Sequence, residues 1–369
     1  MAGSAGLIAV ALGALAPPST TTHLEHDILL RAARGESTSR TPVWLMRQAG
    51  RYMADFRKFS DKIPFRQRSE TPEIAVELSL QPWRAFGVDG VIMFSDILTP
   101  LPALGVDFDV IKGTGPVISS PLRSMQMVQA LHPLDDPDKK LPFLRETITC
   151  LRKETEGKTT LCGFVGSPFT LVAYAVEGQA NRHCIHTKKM MTAAPDVLHA
   201  ALSHFAQAIG EYACHQIECG AQFIQFFESW AHHIGPSDFA RFAKPYADQA
   251  MRYVRERHPD VPIVYYANGG SSYLELQRDM ACDMISLDWA VDMESARKTL
   301  GSDRVVQGNV DPTVLFGSRE QIHDAVESCI RKAGGGGHIL NLGHGVLQGT
   351  PEESVQAFVD AAKTIRLPL

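Results

Sequence analysis

Short apolar runs recur along the chain, and a longer stretch with helical periodicity follows each of them. Eight such runs stand out, and most of them are apolar without interruption. Continuous apolar runs are typical of strands that are buried on both faces of a parallel sheet. The predicted strands are Val43–Met46, Gly90–Ser95, Leu161–Val165, Phe223–Phe227, Ile263–Tyr266, Met284–Leu287, Val305–Gln307 and His338–Leu342.

The stretches between these runs are amphipathic and carry helix start and stop signals. Thr71 is a favourable N-cap, and Pro72 in the first turn opens a helix over "EIAVELSLQPWRAF". The glycines of "KAGGGG" (332–337) end another helix just before the last strand. Further helices are predicted over Pro195–Cys219, Ser237–His258, Met293–Leu300, Ser318–Ala333 and Pro351–Ile365.

The alternation of strands and helices indicates an α/β fold with a parallel sheet. Eight units favour a single (β/α)8 barrel over residues 23–369, and a doubly wound sheet is the alternative. We found no internal repeat or low-complexity linker in this range. A barrel predicts that functional side chains lie just beyond the C-terminal ends of the strands.

The charge balance restricts the classes of ligand. Lys and Arg number 36 and Asp and Glu number 41, so the formal net charge is −5. There is no basic run with interleaved aromatic residues, which argues against a nucleic-acid partner. An anionic ligand would therefore have to be bound by local positive charge. The seven cysteines are scattered and form no C-x-x-C pair, so we expect free thiols in a reducing compartment.

The first 22 residues differ from the rest because they contain no Lys or Arg. Residues 7–16 resemble the apolar region of a signal peptide, but a positive segment before them is missing, as is the Arg-rich character of a transit peptide. The apolar run is too short to span a membrane, which takes about 18 residues. We interpret 1–22 as a leader remnant or a disordered tail.

Polar side chains follow six of the eight predicted strands. Gly50 disfavours a helix across Arg47 and Arg51, so we expect a loop that presents both guanidiniums to the barrel mouth. Each of the other residues has a structural alternative, since Asp, Glu and Ser cap helices and a core tyrosine can satisfy its hydroxyl. The residues concerned are Arg47, Arg51, Asp96, Tyr174, Glu228, Ser229, Asn309, Asp311 and His344.

Seven motifs that contain these residues resemble those of the uroporphyrinogen decarboxylase family, in the family's order. The resemblance extends over roughly residues 29–365, and the segment 79–102 is most similar to the plant and algal plastid branch. The motifs are "PVWLMRQAGRY" (42–52), "FSDIL" (94–98), "GFVGSPFTLVAYAVEG" (163–178), "FFES" (226–229), "LDW" (287–289), "QGNVDP" (307–312) and "NLGHG" (341–345).

The resemblance implies that the chain decarboxylates the four acetate side chains of uroporphyrinogen III. The product would be coproporphyrinogen III, an intermediate of haem and chlorophyll synthesis. It further implies a (β/α)8 barrel, a homodimer, and no metal or organic cofactor. The plastid branch suggests a plastid location, and the cytoplasm is the alternative.

The chemistry of such a substrate fits the residues. Its eight carboxylates suit Arg47 and Arg51, because a guanidinium binds a carboxylate bidentately and stays charged. No predicted strand end carries a lysine for a pyridoxal cofactor. A pyrrole protonated on a ring carbon can accept the electrons instead, so the protein has to supply orientation, charge stabilisation and a proton.

The motif positions imply individual roles. Asp96 would accept hydrogen bonds from the pyrrole N–H groups and stabilise the cationic intermediate. Tyr174 and Ser229 would bind carboxylates or orient Asp96, and Phe227 would form a wall. The general acid stays open between Arg47 and a water chain that ends at His344 or Tyr174. The implied catalytic residues are Asp96, Arg47, Tyr174 and His344, and the implied substrate-binding residues are Arg47, Gln48, Ala49, Gly50, Arg51, Asp96, Tyr174, Phe227, Ser229 and His344.

One departure and two alternatives remain. Many family members carry a further arginine thirteen residues after the first motif arginine, where this chain has Ser60, so Arg57 or Lys58 is a possible substitute. The related zinc-dependent methyltransferases place H-x-C at a strand end, whereas the equivalent "YYANGG" here has no such ligand, and we interpret "HCIH" (183–186) as incidental. A non-catalytic tetrapyrrole carrier is the second alternative, although it would not need Asp96.

Overall fold

The structure is a computed structural model that describes residues 25–366 except 112 and 335. The leader or tail predicted over 1–22 lies outside these residues. No helix in the described range is both long and apolar enough to cross a membrane.

Seven parallel strands follow one another in chain order in a single sheet. Each is paired only with its neighbours along the chain, as expected of a barrel wall. A separate antiparallel hairpin, β2 and β3, lies in the long connection after the first strand. The strands are β1 (Gly90–Ile92), β2 (Phe108–Ile111), β3 (Gly115–Ile118), β4 (Thr160–Gly166), β5 (Phe223–Glu228), β6 (Ile263–Ala267), β7 (Met284–Ser286), β8 (Val305–Gln307) and β9 (His338–Ile339).

The first predicted strand closes the barrel without forming a regular ladder. Leu340 N–H donates to the Pro42 carbonyl at 2.8 Å, and Trp44 N–H donates to the Leu340 carbonyl at 3.3 Å. On the other side, Asp89 N–H donates to the Val43 carbonyl at 2.7 Å. The segment around Val43 therefore bonds to both edges of the seven-stranded sheet, and the fold is the predicted (β/α)8 barrel rather than the doubly wound alternative.

Two strands, β1 and β9, end three residues earlier than predicted, at the mouth, meaning the carboxyl end of the barrel. After β1, Phe94 N–H donates to the Ser79 hydroxyl at 2.7 Å instead of to a neighbouring strand. After β9, only isolated bridges remain, from Leu340 to Val43 and from Leu342 to Val310.

The helices surround the sheet. The predicted helix Ser237–His258 is interrupted by a π-helical turn over Phe239–Ala243. Pro245 has no N–H to donate four residues back, and a wider turn accommodates that loss. Thr71 is the N-cap residue as predicted, but its side chain makes no capping hydrogen bond. The α-helices are α1 (Ile28–Ala33), α2 (Ala54–Ser60), α3 (Phe65–Glu70), α4 (Pro72–Phe86), α5 (Met125–Gln129), α6 (Pro137–Lys140), α7 (Pro142–Thr155), α8 (Pro168–Glu177), α9 (Ile185–Ala193), α10 (Pro195–Cys219), α11 (Pro236–Asp238), α12 (Lys244–Arg257), α13 (Leu274–Gln277), α14 (Met293–Leu300), α15 (Arg319–Ala333) and α16 (Glu352–Thr364).

The lower half of the barrel interior is filled, so that the interior is open to a ligand only from the mouth. Leu29 of α1 packs with the first inward residues of several strands and covers the amino end. Above this layer, Gln307 donates to Gln225 at 3.0 Å and to Ser286 at 2.9 Å, and it accepts from the Trp44 indole at 2.9 Å. Every polar atom named here has a partner, which makes this layer a rigid floor for the site.

Candidate active site

A loop that leaves the barrel after Met46 carries both predicted cations. Arg47 and Arg51 are exposed, and neither guanidinium is paired with a carboxylate among residues 25–366 as described. Arg47 adopts a left-handed backbone conformation with φ 57°. Non-glycine residues in that region are uncommon and are held there by the surrounding structure. The loop thus presents two unpaired positive charges at the mouth.

Gln48 was predicted to bind substrate, and its side chain is instead committed to the loop itself. It is fully buried, its Oε1 accepts from Leu45 N–H at 3.2 Å, and its Nε2 donates to the Gly90 carbonyl at 3.0 Å. Both ends of the amide are therefore used to tie the loop to β1. The main-chain N–H groups of Ala49 and Gly50 have no acceptor in the described part of the chain, so they remain available to an anion.

The two proposed substitutes for the missing third arginine do not face the mouth as free cations. Arg57 donates to the carbonyls of Arg51 and Tyr52, at 2.9 and 2.8 Å, and so braces the arginine loop. Lys58 is paired with Asp55 on the surface at 2.6 Å.

A different cation lies near the loop. Arg68 of α3 is buried over the rings of Phe56, Phe65 and Phe94, and the pKa of its guanidinium is lowered by burial and by the nearby Arg51. The motif position of the third arginine gave no indication of Arg68.

Asp96 lies just beyond β1 and keeps one carboxylate oxygen unbonded. Its Oδ1 accepts from Leu98 N–H at 2.8 Å, and its own N–H donates to the Thr99 hydroxyl at 3.2 Å. Its Oδ2 meets no hydrogen-bond donor among the described residues. Asp96 therefore shapes a turn rather than capping the helix that follows. Burial raises the pKa of Asp96, while the Leu98 N–H group and the Arg47 cation oppose this shift.

Aromatic residues line two sides of the mouth. Tyr174 on α8 is half-buried, and its ring lies 4.3 Å from that of Trp230. Burial raises the pKa of Tyr174, and so does the negative charge of Asp96. Phe227 on β5 contacts Phe164 and Tyr266 edge-on, at 5.7 and 5.8 Å. These rings form an apolar side of the mouth.

The neighbouring residues Glu228 and Ser229 have different surroundings. Glu228 is fully buried and its Oε1 accepts from the N–H and the hydroxyl of Thr170, in the first turn of α8. It thus caps the helix that precedes it in the chain, whereas the capping alternative placed it at the next helix. Burial raises the pKa of Glu228 to about 7, and the bonds from Thr170 and Tyr265 oppose the shift. Ser229 is half-buried, and its carbonyl accepts from Asn268 at 3.1 Å.

His344 lies next to the arginine loop, since the adjacent Gly345 packs against the Arg47 side chain. Its imidazole is half-buried, and the pKa is lowered first by burial and then by the cation of Arg47. Asn309 and Asp311, also considered at strand ends, serve the fold. Asn309 donates to the Asp288 and Val291 carbonyls, and Asp311 caps the short helical turn over Pro312–Phe316.

Sequence reasoning missed three residues at the mouth, namely Trp230, His232 and Asn268. Asn268 directly follows β6 and donates to Ser229 and His232. Its position directly after an apolar run is a usable signal for a residue at the mouth. In the described residues, the side chains of "HCIH" do not converge, and the one close group of three ligating residues is His323, Asp324 and Glu327 on the outer surface.

An open cleft of about 950 Å³ lies at the opposite, amino end of the strands. Arginines and aspartates both line it, namely Arg34, Arg255, Arg278 and Arg304 with Asp260, Asp279, Asp283 and Asp303. Arg255 pairs with Asp283, and Arg304 donates to the main-chain carbonyls of Cys282, Arg278 and Met280. The positive charge of this cleft is therefore offset by nearby carboxylates, whereas Arg47 and Arg51 at the mouth have no carboxylate partner among the described residues.

Fold and site together define an enzyme of the (β/α)8-barrel class, with a binding site for a carboxylate-rich ligand at the carboxyl end of its strands. Residues 24–365 match the family described as Uroporphyrinogen decarboxylase (URO-D). The chain belongs to this family. Uroporphyrinogen decarboxylases are carboxy-lyases, and the chain is an enzyme of that class.

Curated relatives agree over nearly the whole chain. The uroporphyrinogen decarboxylase of Crocosphaera subtropica is 52% identical over 91% of this chain and 95% of its own length. Those of Picosynechococcus sp. and Synechocystis sp. are each 50% identical, over 92% and 91% of this chain and 97% and 96% of their own lengths.

Among solved structures, a methyltransferase from Methanosarcina mazei matches with a TM-score of 0.79 at 20% identity, covering 92% of this chain and 98% of its own. A B12-independent methionine synthase from Shewanella sp. W3-18-1 matches with a TM-score of 0.54 at 14% identity, covering 89% and 95%. At such identities the likeness concerns the barrel fold alone.

Proposed function

We propose that the chain converts uroporphyrinogen III into coproporphyrinogen III by removing its four acetate carboxyls as CO2, with Asp96 and Arg47 at the centre of the reaction. The observation that carries this assignment is that the same mouth holds unpaired cations and an unbonded carboxylate oxygen. Arg47 and Arg51 are cations without a carboxylate partner in the described range, and Asp96 keeps a carboxylate oxygen without a donor there. A macrocycle with carboxylates outside and N–H donors inside supplies both partners.

Each of the four steps replaces a carboxylate by a proton. A proton first adds to a pyrrole carbon beside the acetate-bearing carbon and converts the ring into a cationic iminium. The bond between the acetate methylene and its carboxyl then breaks, its electron pair flows into the iminium, and CO2 leaves. A second proton adds to the resulting exocyclic methylene as the ring carbon returns its own, so that one proton is consumed for each CO2.

In this scheme Asp96 acts by electrostatics. Its Oδ1 accepts from Leu98 N–H, which holds the carboxylate before substrate arrives and leaves Oδ2 for the substrate. It accepts hydrogen bonds from the pyrrole N–H groups and lies next to the positive charge that develops on the ring. Preorganised charge of this kind is worth at least ~10²-fold in rate.

The arginine loop binds the outer carboxylates. Arg47 and Arg51 supply bidentate contacts, and the N–H groups of Ala49 and Gly50 supply further donors. Ser229 and Tyr174 add hydroxyl donors on the far side, and Phe227 covers the ring face.

We assign proton delivery to a water chain that ends at His344 or Tyr174. An arginine holds its proton too tightly to release it at neutral pH, so Arg47 serves as a binding group rather than as the acid. The lowered pKa of His344 leaves its imidazole neutral near pH 7, in the state that can accept and pass on a proton.

We further propose a homodimer and a role in haem and chlorophyll synthesis within a plastid. The high identity to cyanobacterial relatives supports a plastid origin. Light scattering on the purified protein tests the dimer, and imaging with a C-terminal fluorescent tag distinguishes the plastid from the cytoplasm.

The decisive assay follows CO2 and coproporphyrinogen formation from uroporphyrinogen under anaerobic, reducing conditions without added cofactor. Release of four CO2 per macrocycle supports the proposal. Tight binding without release would instead favour a tetrapyrrole carrier. Stoichiometric zinc in the active preparation would favour a metal-dependent transferase.

A further inference from the structure

The loop after β5 places two adjacent histidines at the mouth, and the mechanism above uses neither. His232 is exposed, and its ring lies 4.0 Å from that of His233. His233 contacts Trp230 edge-on at 5.1 Å, and Trp230 contacts Tyr174 at 4.3 Å. On the other side, His232 is close enough to His344 to lower its pKa. The His232 imidazole therefore lies at the rim between two residues of the active site.

A single amide fixes which nitrogen of this imidazole carries the proton. Asn268 Nδ2 lies 3.1 Å from the Ser229 carbonyl oxygen and 3.1 Å from His232 Nδ1. A carbonyl oxygen can only accept, so the atom of Asn268 that faces it has to be the NH2 group. The second hydrogen of that group then points to Nδ1, which accepts it. With Nδ1 accepting this bond, the neutral ring carries its proton on Nε2, which becomes a donor; the opposite tautomer would turn Nδ1–H toward the Ser229 carbonyl, the contact that raises the pKa of His232.

The backbone around His232 holds this arrangement in place. A Cβ at Gly269 would come within 2.7 Å of His232 Cβ, so the loop after β6 approaches the imidazole closely only because residue 269 is a glycine. Gly269 also has φ 72°, which glycine adopts without strain. His232 is thus exposed at its tip but fixed at its base.

We propose that His232 is a further substrate-binding residue, which donates its Nε2–H to a carboxylate of the tetrapyrrole at the rim, and that Asn268 is the positioning residue that sets its tautomer. The proposal rests on the function assigned above. It extends carboxylate recognition from the arginine loop to the loop after β5. Because the donor is neutral, its contribution depends little on ionic strength, unlike that of Arg47 and Arg51.

Burial favours the neutral form of the His232 ring. Burial lowers the pKa of His232, and the Ser229 carbonyl opposes this shift. The titratable groups beside it are His233 on its own loop and His344 after β9. The pKa of His233 is lowered to about 4 by burial first and then by the charges of His232 and Lys188, while the carboxylate of Glu177 and the main-chain carbonyl of Arg182 oppose the shift.

The first test separates binding from turnover. In His232→Ala we expect the KM for uroporphyrinogen to rise about ten-fold with kcat unchanged, the usual cost of losing a hydrogen bond to a charged group. His232→Gln, whose amide N–H reaches as far as Nε2, should restore most of the loss. His323→Ala, on the exposed side of α15, is the matched control. A KM within about two-fold of the parent in His232→Ala, which is less than such a bond is worth, would overturn the proposal.

The second test inverts the tautomer. In Asn268→Asp the introduced carboxylate accepts from Nδ1–H, which leaves Nε2 bare when the ring is neutral. The KM should then rise at pH 8 and recover at pH 6, where an imidazolium donates from both nitrogens. In the His232→Ala background the same change should produce no such pH dependence. The same pH dependence in that background would show that the introduced carboxylate acts without His232, which would overturn the role of the imidazole.

Nitrogen-15 NMR of histidine-labelled protein reports the tautomer without any turnover, with His232→Gln assigning the resonance. A protonated Nδ1 in the parent would refute the role of Asn268. If the chain released no CO2 but showed the expected tautomer, the assigned reaction would fail while the geometric inference stood.

Discussion

The substitution Asp96→Asn tests the centre of the proposed mechanism with little disturbance of the fold. The asparagine Oδ1 can still accept from Leu98 N–H at the 2.8 Å observed for the aspartate. The other oxygen becomes an NH2 group, which points a donor at the pyrrole N–H donors. The site thus loses both the acceptor and the negative charge that stabilises the cationic ring.

We expect kcat to fall by at least ~10²-fold, or about 2.7 kcal/mol of transition-state stabilisation. The assay is the separation of oxidised porphyrins after anaerobic turnover, with the melting temperature measured in parallel. Asp311→Asn is the control, because Asp311 caps a short helical turn and should affect stability rather than turnover.

The pH profile adds an independent readout. Since burial raises the pKa of Asp96, the required carboxylate is lost as the pH falls through that raised value. The parent should show this acidic limb in kcat, and the asparagine variant should lack it. If Asp96→Asn turned over at a near-normal rate, the role assigned to Asp96 would be refuted.

The other predictions concern the arginine loop and the buried glutamate. Between about 0.05 and 0.5 M salt the KM should rise several-fold because salt screens the exposed Arg47 and Arg51. Lys58→Ala should leave that salt dependence unchanged. A KM that does not change with salt would contradict the binding of substrate carboxylates by the two arginines. Gln48→Ala should lower the melting temperature through the loss of two buried hydrogen bonds, at about 1 kcal/mol each, and any effect on KM should follow from loosening of the loop. The pKa of Glu228 is about 7 in the folded chain and lower in the unfolded one, so the folded state binds more protons between these values and loses stability as the pH rises through them. Denaturation of Glu228→Gln at about pH 5.5 and 8 should therefore show a smaller difference than the parent does, and an equal difference would argue against a raised pKa.

The repeating apolar pattern predicted the barrel well, because strands buried on both faces leave a continuous apolar run. The pattern did not predict hydrogen bonds between segments that are distant in the sequence. Val43 bonds to Asp89 and bridges to Leu340, and no pattern near Val43 reveals those partners. The π-helical turn before Pro245 could have been expected from the proline, but its width depends on packing.

For the candidate site, too, the sequence predicted some features and missed others. Strand-end positions identified Asp96, Tyr174 and His344 from the sequence, since the fold brings all strand ends together. They did not reveal that Glu228 caps α8, because the contact with Thr170 is created by the neighbouring strand. Nor did they predict that Gln48 would be buried, since a polar residue between two exposed arginines has the same local pattern whichever way it points.

The position of Arg47 in the first motif depends on contacts with residues almost 300 positions later in the chain. Arg47 adopts a left-handed conformation that costs roughly 1–2 kcal/mol for a residue with a Cβ, so the chain elsewhere has to hold it. Asn341 Oδ1 accepts from Met46 N–H at 2.9 Å, and Val346 N–H donates to the Met46 carbonyl at 2.9 Å. A Cβ at Gly345 would lie 2.4 Å from Arg47 Cδ, so only a glycine leaves room for the arginine stem. The same segment therefore closes the barrel and positions Arg47, so the last motif is needed for the first to function.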